Sequence, residues 1–179
     1  MMKIGEVNSA LLDCNTKYTT IDGLQFGHSL SGSYTSYFVA FADYSHSQDS
    51  VFKNCRLEHF FGNAYRCLSL GDFPDNVSVY NNIIIGDFNT AALQIKNANS
   101  SRYATVSNNV IINTGGDVVA ASSSDHRFYN NIAIGTGTST VYTGTYANAS
   151  NNISSDATAS GANSLINQVA TDIFTDYAN

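Results

Sequence analysis

A chain of 179 residues, 43% of them hydrophobic, is long enough for one domain with a sizeable core and too apolar to stay disordered. Charged residues are only 12%, about half of the ~25% usual in soluble domains, so uncharged Asn, Ser, Thr and Gly must carry most of the surface. The net charge of −6, without any Lys/Arg run, excludes nucleic acid and an anionic membrane surface as expected partners, since both need clustered cations.

The chain opens on Met1-Met2-Lys3-Ile4-Gly5-Glu6-Val7-Asn8-Ser9. That stretch has no continuous apolar h-region, so no signal peptide is expected, and no later apolar run approaches the ~20 residues of a membrane span. The cysteines, Cys14, Cys55 and Cys67, are odd in number, and none stands in a CxxC or Cys/His ligand spacing. Free structural thiols and no metal are expected.

From Ile21 the sequence is organised by a repeat. Its first two units are Ile21-Asp22-Gly23-Leu24-Gln25-Phe26 and Phe52-Lys53-Asn54-Cys55-Arg56-Leu57. Four units with a doubled asparagine follow. They are Val79-Tyr80-Asn81-Asn82-Ile83-Ile84, Val106-Ser107-Asn108-Asn109-Val110-Ile111, Phe128-Tyr129-Asn130-Asn131-Ile132-Ala133 and Ala149-Ser150-Asn151-Asn152-Ile153-Ser154. Aligned on Gly23, Asn54, Asn81, Asn108, Asn130 and Asn151, the steps are 31, 27, 27, 22 and 21 residues. Each unit reads as a strand, a sharp bend and a second strand. Asn suits the bend, because it tolerates left-handed backbone angles and bonds nearby backbone groups. Stacked coil on coil, Asn54, Asn81, Asn82, Asn108, Asn109, Asn130, Asn131, Asn151 and Asn152 are expected to form a ladder. Each buried polar group it satisfies would otherwise cost about 1–3 kcal/mol.

Between the bends lies a second apolar stretch, at 37–41, 67–70, 92–95, 117–121 and 140–143. Alternation points Val39, Phe41, Leu68, Leu70, Leu93 and Ile95 inward, and places Ala92, Gln94, Ala120, Ser122, Tyr142 and Gly144 outward. The longer early steps imply turn insertions at 42–49, 71–75 and 96–102. Leucine-rich spacing is absent, and so short a period cannot hold a propeller blade. The expected architecture is all-β: a single right-handed parallel β-helix domain over 1–179, with about six coils across roughly 18–157 and three short parallel sheets. Residues 1–17 and 158–179 are terminal or capping segments. Leu165, Ile166, Val169, Ile173, Phe174 and Tyr177 fit a short capping helix about as well as an extended strand. Failing caps, the open ends would pack on a second copy, so a homo-oligomer through a solenoid end or flank is expected.

These units resemble the right-handed parallel β-helix repeat of the pectate lyase-like superfamily, over roughly residues 18–177. The resemblance implies a bacterial secreted or surface role. It implies little about activity, because the fold carries lyases, hydrolases, epimerases and plain binders. In the polysaccharide-cleaving members, carboxylates and a basic residue line one sheet, and lyases need a cation or Ca²⁺ against the uronate. The outward positions above carry neither a carboxylate pair nor a stacked arginine.

The best local cluster is Asp125-His126-Arg127, where a His between acid and base would carry protons. Arg102 and Lys96 would hold an acidic sugar. Asp72 and Asp75 lie one coil further back, and Asp43, His46 and Asp49 form another polar insertion. Tyr34, Tyr37, Tyr44, Tyr65, Tyr103, Tyr142 and Tyr146 are candidates for stacking on sugar rings. Two functions follow. One is a non-catalytic module without a cofactor that binds a polysaccharide or serves as an interaction scaffold, with Tyr142, Tyr103, Arg102 and Lys96 as sugar contacts. The other is a lyase-like enzyme on an acidic polysaccharide, with Asp125, His126 and Arg127 as its catalytic set and Ca²⁺ as its cofactor.

Overall fold

The computed structural model describes residues 10–14, 16–28, 37–41, 48–71, 74–96, 102–136, 140–144, 146 and 148–174. The strand β1 (Ala10–Cys14) precedes the first full coil, which holds β2 (Thr20–Asp22), β3 (Gln25–His28) and β4 (Tyr37–Phe41). The second holds β5 (Val51–Lys53) and the long β6 (Arg56–Leu70). The third holds β7 (Val77–Tyr80) and β8 (Ile83–Ile95), the fourth β9 (Ala104–Ser107), β10 (Val110–Asn113) and β11 (Asp117–Ala121). Next come β12 (Arg127–Tyr129), β13 (Ile132–Gly135) and β14 (Tyr142–Thr143), then β15 (Asn148–Ser150), β16 (Ile153–Ser154) and one helical turn, α1 (Ala170–Ile173).

All strand pairings are parallel, and they build a β-solenoid. One sheet runs β2-β5-β7-β9-β12-β15, one strand per coil for six coils. The other has ten strands and carries two faces. The first face stacks β3-β6-β8-β10-β13-β16 and the second β1-β4-β6-β8-β11-β14. The three expected faces are therefore present, but two of them are fused, because β6 and β8 run without a break from one face to the next. The interior is a set of stacked columns: Ile21-Phe52-Val79-Val106-Phe128-Ala149, Phe26-Leu57-Ile84-Ile111-Ala133-Ser154 and Leu68-Leu93-Val119-Tyr142. Most of these side chains are fully buried, and each large one contributes about 1.5–3 kcal/mol by leaving water.

The doubled asparagines divide two tasks. The first of each pair turns the corner. Asn54, Asn81, Asn108, Asn130 and Asn151 all have φ between 55° and 57°, and Gly23 takes the same corner at 72°. Their side chains are exposed, and only Asn54 to Asp22 (2.8 Å) and Asn81 to Asn54 (3.5 Å) bond along this outer row among the described residues. The second Asn forms the buried ladder. Cys55 N–H donates to Asn82 Oδ1 (2.9 Å), Asn82 N–H to Asn109 Oδ1 (3.0 Å), Asn109 N–H to Asn131 Oδ1 (3.1 Å) and Asn131 N–H to Asn152 Oδ1 (3.0 Å). Each Nδ2 then reaches back to the coil before, to Phe52 O, Val79 O, Val106 O and Phe128 O in turn. An inward bend thus buries no unpaired backbone.

The C-terminal end is closed by hydrogen bonds rather than by a helix. Residues 162–168 form a partial further rung, in which Ser164 Oγ accepts from Asn152 N–H (3.1 Å) and ends the ladder, while Leu165 pairs with Ile153. At β14, Asp156 Oδ2 accepts from Val141 N–H (3.0 Å) and Thr158 Oγ1 from Tyr142 N–H (2.9 Å), taking the place of a next strand. The expected capping helix shrinks to the four residues of α1, none of them buried. Leu165, Ile166 and Val169 stay exposed.

Candidate functional site

Asp125, His126 and Arg127 lie at the turn into β12, and strand alternation separates them. Phe128 points inward, so His126 does too, and Arg127 points out. The His126 ring is fully buried and its Nδ1 accepts the backbone N–H of Ala104, one coil earlier, at 3.1 Å. The proton of the neutral ring therefore sits on Nε2, which has no hydrogen-bond partner. Burial holds the imidazole pKa down at about 4 against the opposing pull of the Asp125 charge. Asp125 N–H donates to Ser123 Oγ (3.3 Å). The Arg127 guanidinium lies 3.8 Å from the centre of the Tyr103 ring, a cation–π contact on the outer surface. The three residues share a turn but face two sides of the wall, and the proton carrier expected between acid and base is a core side chain.

Tyr142 also departs from its expected place. It pairs with Val119 and so joins the inward column, while Thr143 is the outward residue, in register with Ala120. A slip of one residue exchanges the faces. Its ring packs edge-on to Phe128 (6.1 Å), and Tyr146 lies against the same Phe128 (4.3 Å). Burial drives both phenol pKa values above their usual range. Neither ring can stack on a sugar. Of the other residues expected outward, Ser122 and Gly144 are exposed, Gln94 and Ala120 are half-buried, and Ala92 is covered. Arg102 is exposed, Lys96 and Tyr103 are half-buried, and Tyr65 is exposed. Asp43, His46, Asp72, Tyr34 and Tyr44 lie outside the described residues, as does the side chain of Tyr37.

The outer face of the six-stranded sheet carries the groups that the sequence reading passed over. Register places Asp22-Lys53-Tyr80-Ser107-Tyr129-Ser150 in one outward row and Thr20-Val51-Ser78-Thr105-Arg127-Asn148 in another. Rungs are about 4.8 Å apart, so Tyr80 and Tyr129 stand roughly 10 Å apart along the axis, with Ser107 between them. Lys53 pairs with Asp22 (3.3 Å), which holds its ammonium pKa up, with the neighbouring Tyr80 adding to the shift. The signal for this row was in the repeat: each member is the residue just before the first Asn of its unit.

Elsewhere, a recess of about 130 Å³ is lined by His59, Ile85, Gly86, Asp87 and Thr114, with the His59 ring stacked on Phe88 at 5.5 Å. Among the described residues, no three His, Cys, Asp or Glu side chains are grouped to hold a metal. None of the cysteines is in a disulfide, all three are buried, and burial raises the thiol pKa of Cys55 and Cys67. Compared with known proteins, the chain matches no family model, no curated protein and no solved structure.

Proposed function

We propose that this chain is a non-catalytic β-solenoid module, a distant relative of the pectate lyase-like superfamily, that binds a hydroxyl-rich polysaccharide along the outer face of β2-β5-β7-β9-β12-β15. One observation carries the reading. Tyr80, Tyr129 and the Arg127-Tyr103 pair share one outer face with Ser78, Thr105 and Ser107, while the acid, base and imidazole of the Asp125 turn do not converge. Tyrosine offers an apolar ring face for sugar C–H groups and a hydroxyl for the sugar edge. Seryl and threonyl hydroxyls between the rings supply hydrogen bonds at low desolvation cost. The sparse charge of the chain favours a neutral glycan over a polyanion, and the polymer would lie along the axis because the rings repeat in that direction. A glycan array followed by calorimetry tests the idea. Tyr129→Ala and Tyr103→Ala should each weaken binding by about 3–10-fold, the loss of ~0.5–1.5 kcal/mol of aromatic contact, with thermal stability nearly unchanged. An absence of binding to every glycan tried would refute it. The appearance of unsaturated uronate products with Ca²⁺ present would favour the lyase reading instead.

Association with a second copy through a flank remains part of this proposal. Asp156, Thr158 and Ser164 already occupy the backbone donors at the C-terminal end, so that end is a poor place for strand addition.

A further inference from the structure

His126 stands at a position where the repeat elsewhere places a small buried residue, and at Ser50 that residue already accepts a backbone N–H of the preceding coil, from Thr19 at 3.2 Å. Its counterparts one and two coils earlier are Ala104 and Val77, both fully buried. An imidazole there serves packing no better than valine would, and it leaves one ring nitrogen buried without a partner. What it adds is a bond between coils: Nδ1 accepts the N–H of Ala104 at 3.1 Å, joining the coil of β9 to the coil of β12 from inside the wall. That bond exists only while Nδ1 keeps its lone pair. A proton on Nδ1 turns an acceptor into a donor facing another donor, and places a cation in the core.

We propose that His126 is an acid-labile latch, so that mild acid opens the C-terminal coils, residues 127–154, before the central coils. The ionisable groups on the adjoining elements do not relieve the cation. Among the described residues Asp125, on the same turn, favours it, and burial outweighs that pull. Arg127 and Arg102 would oppose a cation, and the buried phenols of Tyr142 and Tyr146 are kept neutral by burial. Tyr103 already faces the Arg127 guanidinium. The sign follows from the two states. Unfolded, the imidazole takes its proton near pH 6.5; folded, not until about 4. Below pH 6.5 the opened form binds more protons, so its population rises as pH falls, by roughly 30-fold between pH 7.5 and pH 5.

Hydrogen exchange read by mass spectrometry, on the whole chain at pH 7.5 and pH 5 with rates corrected for intrinsic pH dependence, tests this directly. Exchange in 102–107 and 127–154 should rise about 30-fold, with 77–95 much less affected. His126→Val should remove most of that rise. Should this variant fail to fold, an NMR titration of the histidine rings in the unaltered protein decides. One imidazole should remain neutral down to the pH at which the C-terminal peptides open. An acid response that begins around His59, persists in the valine variant, or accompanies a His126 ring that titrates reversibly above pH 6 would overturn the latch.

Discussion

Two corners of the same solenoid solve the same problem in different ways. At the corner leaving the six-stranded sheet, each coil bends with one left-handed residue, from Gly23 through Asn151, and from the third coil on an inward amide follows it, from Asn82 through Asn152. At the corner between the two fused faces the coils differ. The strands β6 and β8 sweep through it unbroken, whereas the next coil turns on Asn113 and two glycines. Asn113 is fully buried. Its Oδ1 accepts from Phe88 N–H (2.8 Å), and its Nδ2 donates to the carbonyls of Phe88, Gly116 and Asp117 (3.0, 2.9 and 2.7 Å). A corner set by a stack of like side chains is cooperative along the axis. A corner set by local backbone shape need only fit its two neighbours, so it tolerates insertions and changes of coil length.

The largest expected effect tests the cooperative corner. Asn109→Ala removes an acceptor from Asn82 N–H and donors to Asn131 Oδ1 and Val79 O inside the wall. With two or three buried groups orphaned at ~1–3 kcal/mol each, the loss should be about 3–5 kcal/mol in urea unfolding. Asn108→Gly, next door, keeps the left-handed bend and should change stability by less than about 0.5 kcal/mol. Equal losses at the two sites would erase the division of tasks between the paired residues.

The second test addresses the irregular corner. A Cβ at Gly116 would lie 2.3 Å from the Asn89 carbonyl oxygen, backbone that cannot swing aside. Gly116→Ala should cost about 2–3 kcal/mol by overpacking, confined to exchange of 87–90 and 113–118. Stability within error of the parent would show that this corner relaxes more freely than its close contacts suggest.

A smaller effect is expected where both corners end. Asp156→Ala frees Val141 N–H and Thr158 N–H. Since the site is only partly buried, about 1–2 kcal/mol should be lost. An uncovered β14 edge should also give concentration-dependent association in sedimentation. A variant that stays as monodisperse as its parent would mean that Asp156 trims stability without guarding the edge.

Legibility in the sequence tracks this contrast. The parity of His126 could have been read from its own unit: Phe128 stands two before Asn130 and must point inward, so His126, two before Phe128, does as well. Its neighbours Asp125 and Arg127 mask that parity by giving the segment the look of a charged turn. The outward row of Lys53, Tyr80 and Tyr129 was equally accessible, from its fixed place before the first Asn. Tyr142 was not. The short β14 has no Asn anchor, Val141 and Tyr142 are both apolar enough for the core, and nothing local says which of the two faces inward. Asn113 lacks a counterpart in the repeat, so its role in the corner had no periodic signal.

By itself the sequence determined the solenoid, the register of the six-stranded sheet and the steps between coils, because a left-handed bend with a buried amide demands particular residue types at a particular spacing. The tertiary structure alone decided the fusion of two faces, the side of the wall that Tyr142 takes and the closure by Asp156, Thr158 and Ser164. Those features depend on which backbone groups lie opposite one another once the coils are stacked, and no local preference encodes that.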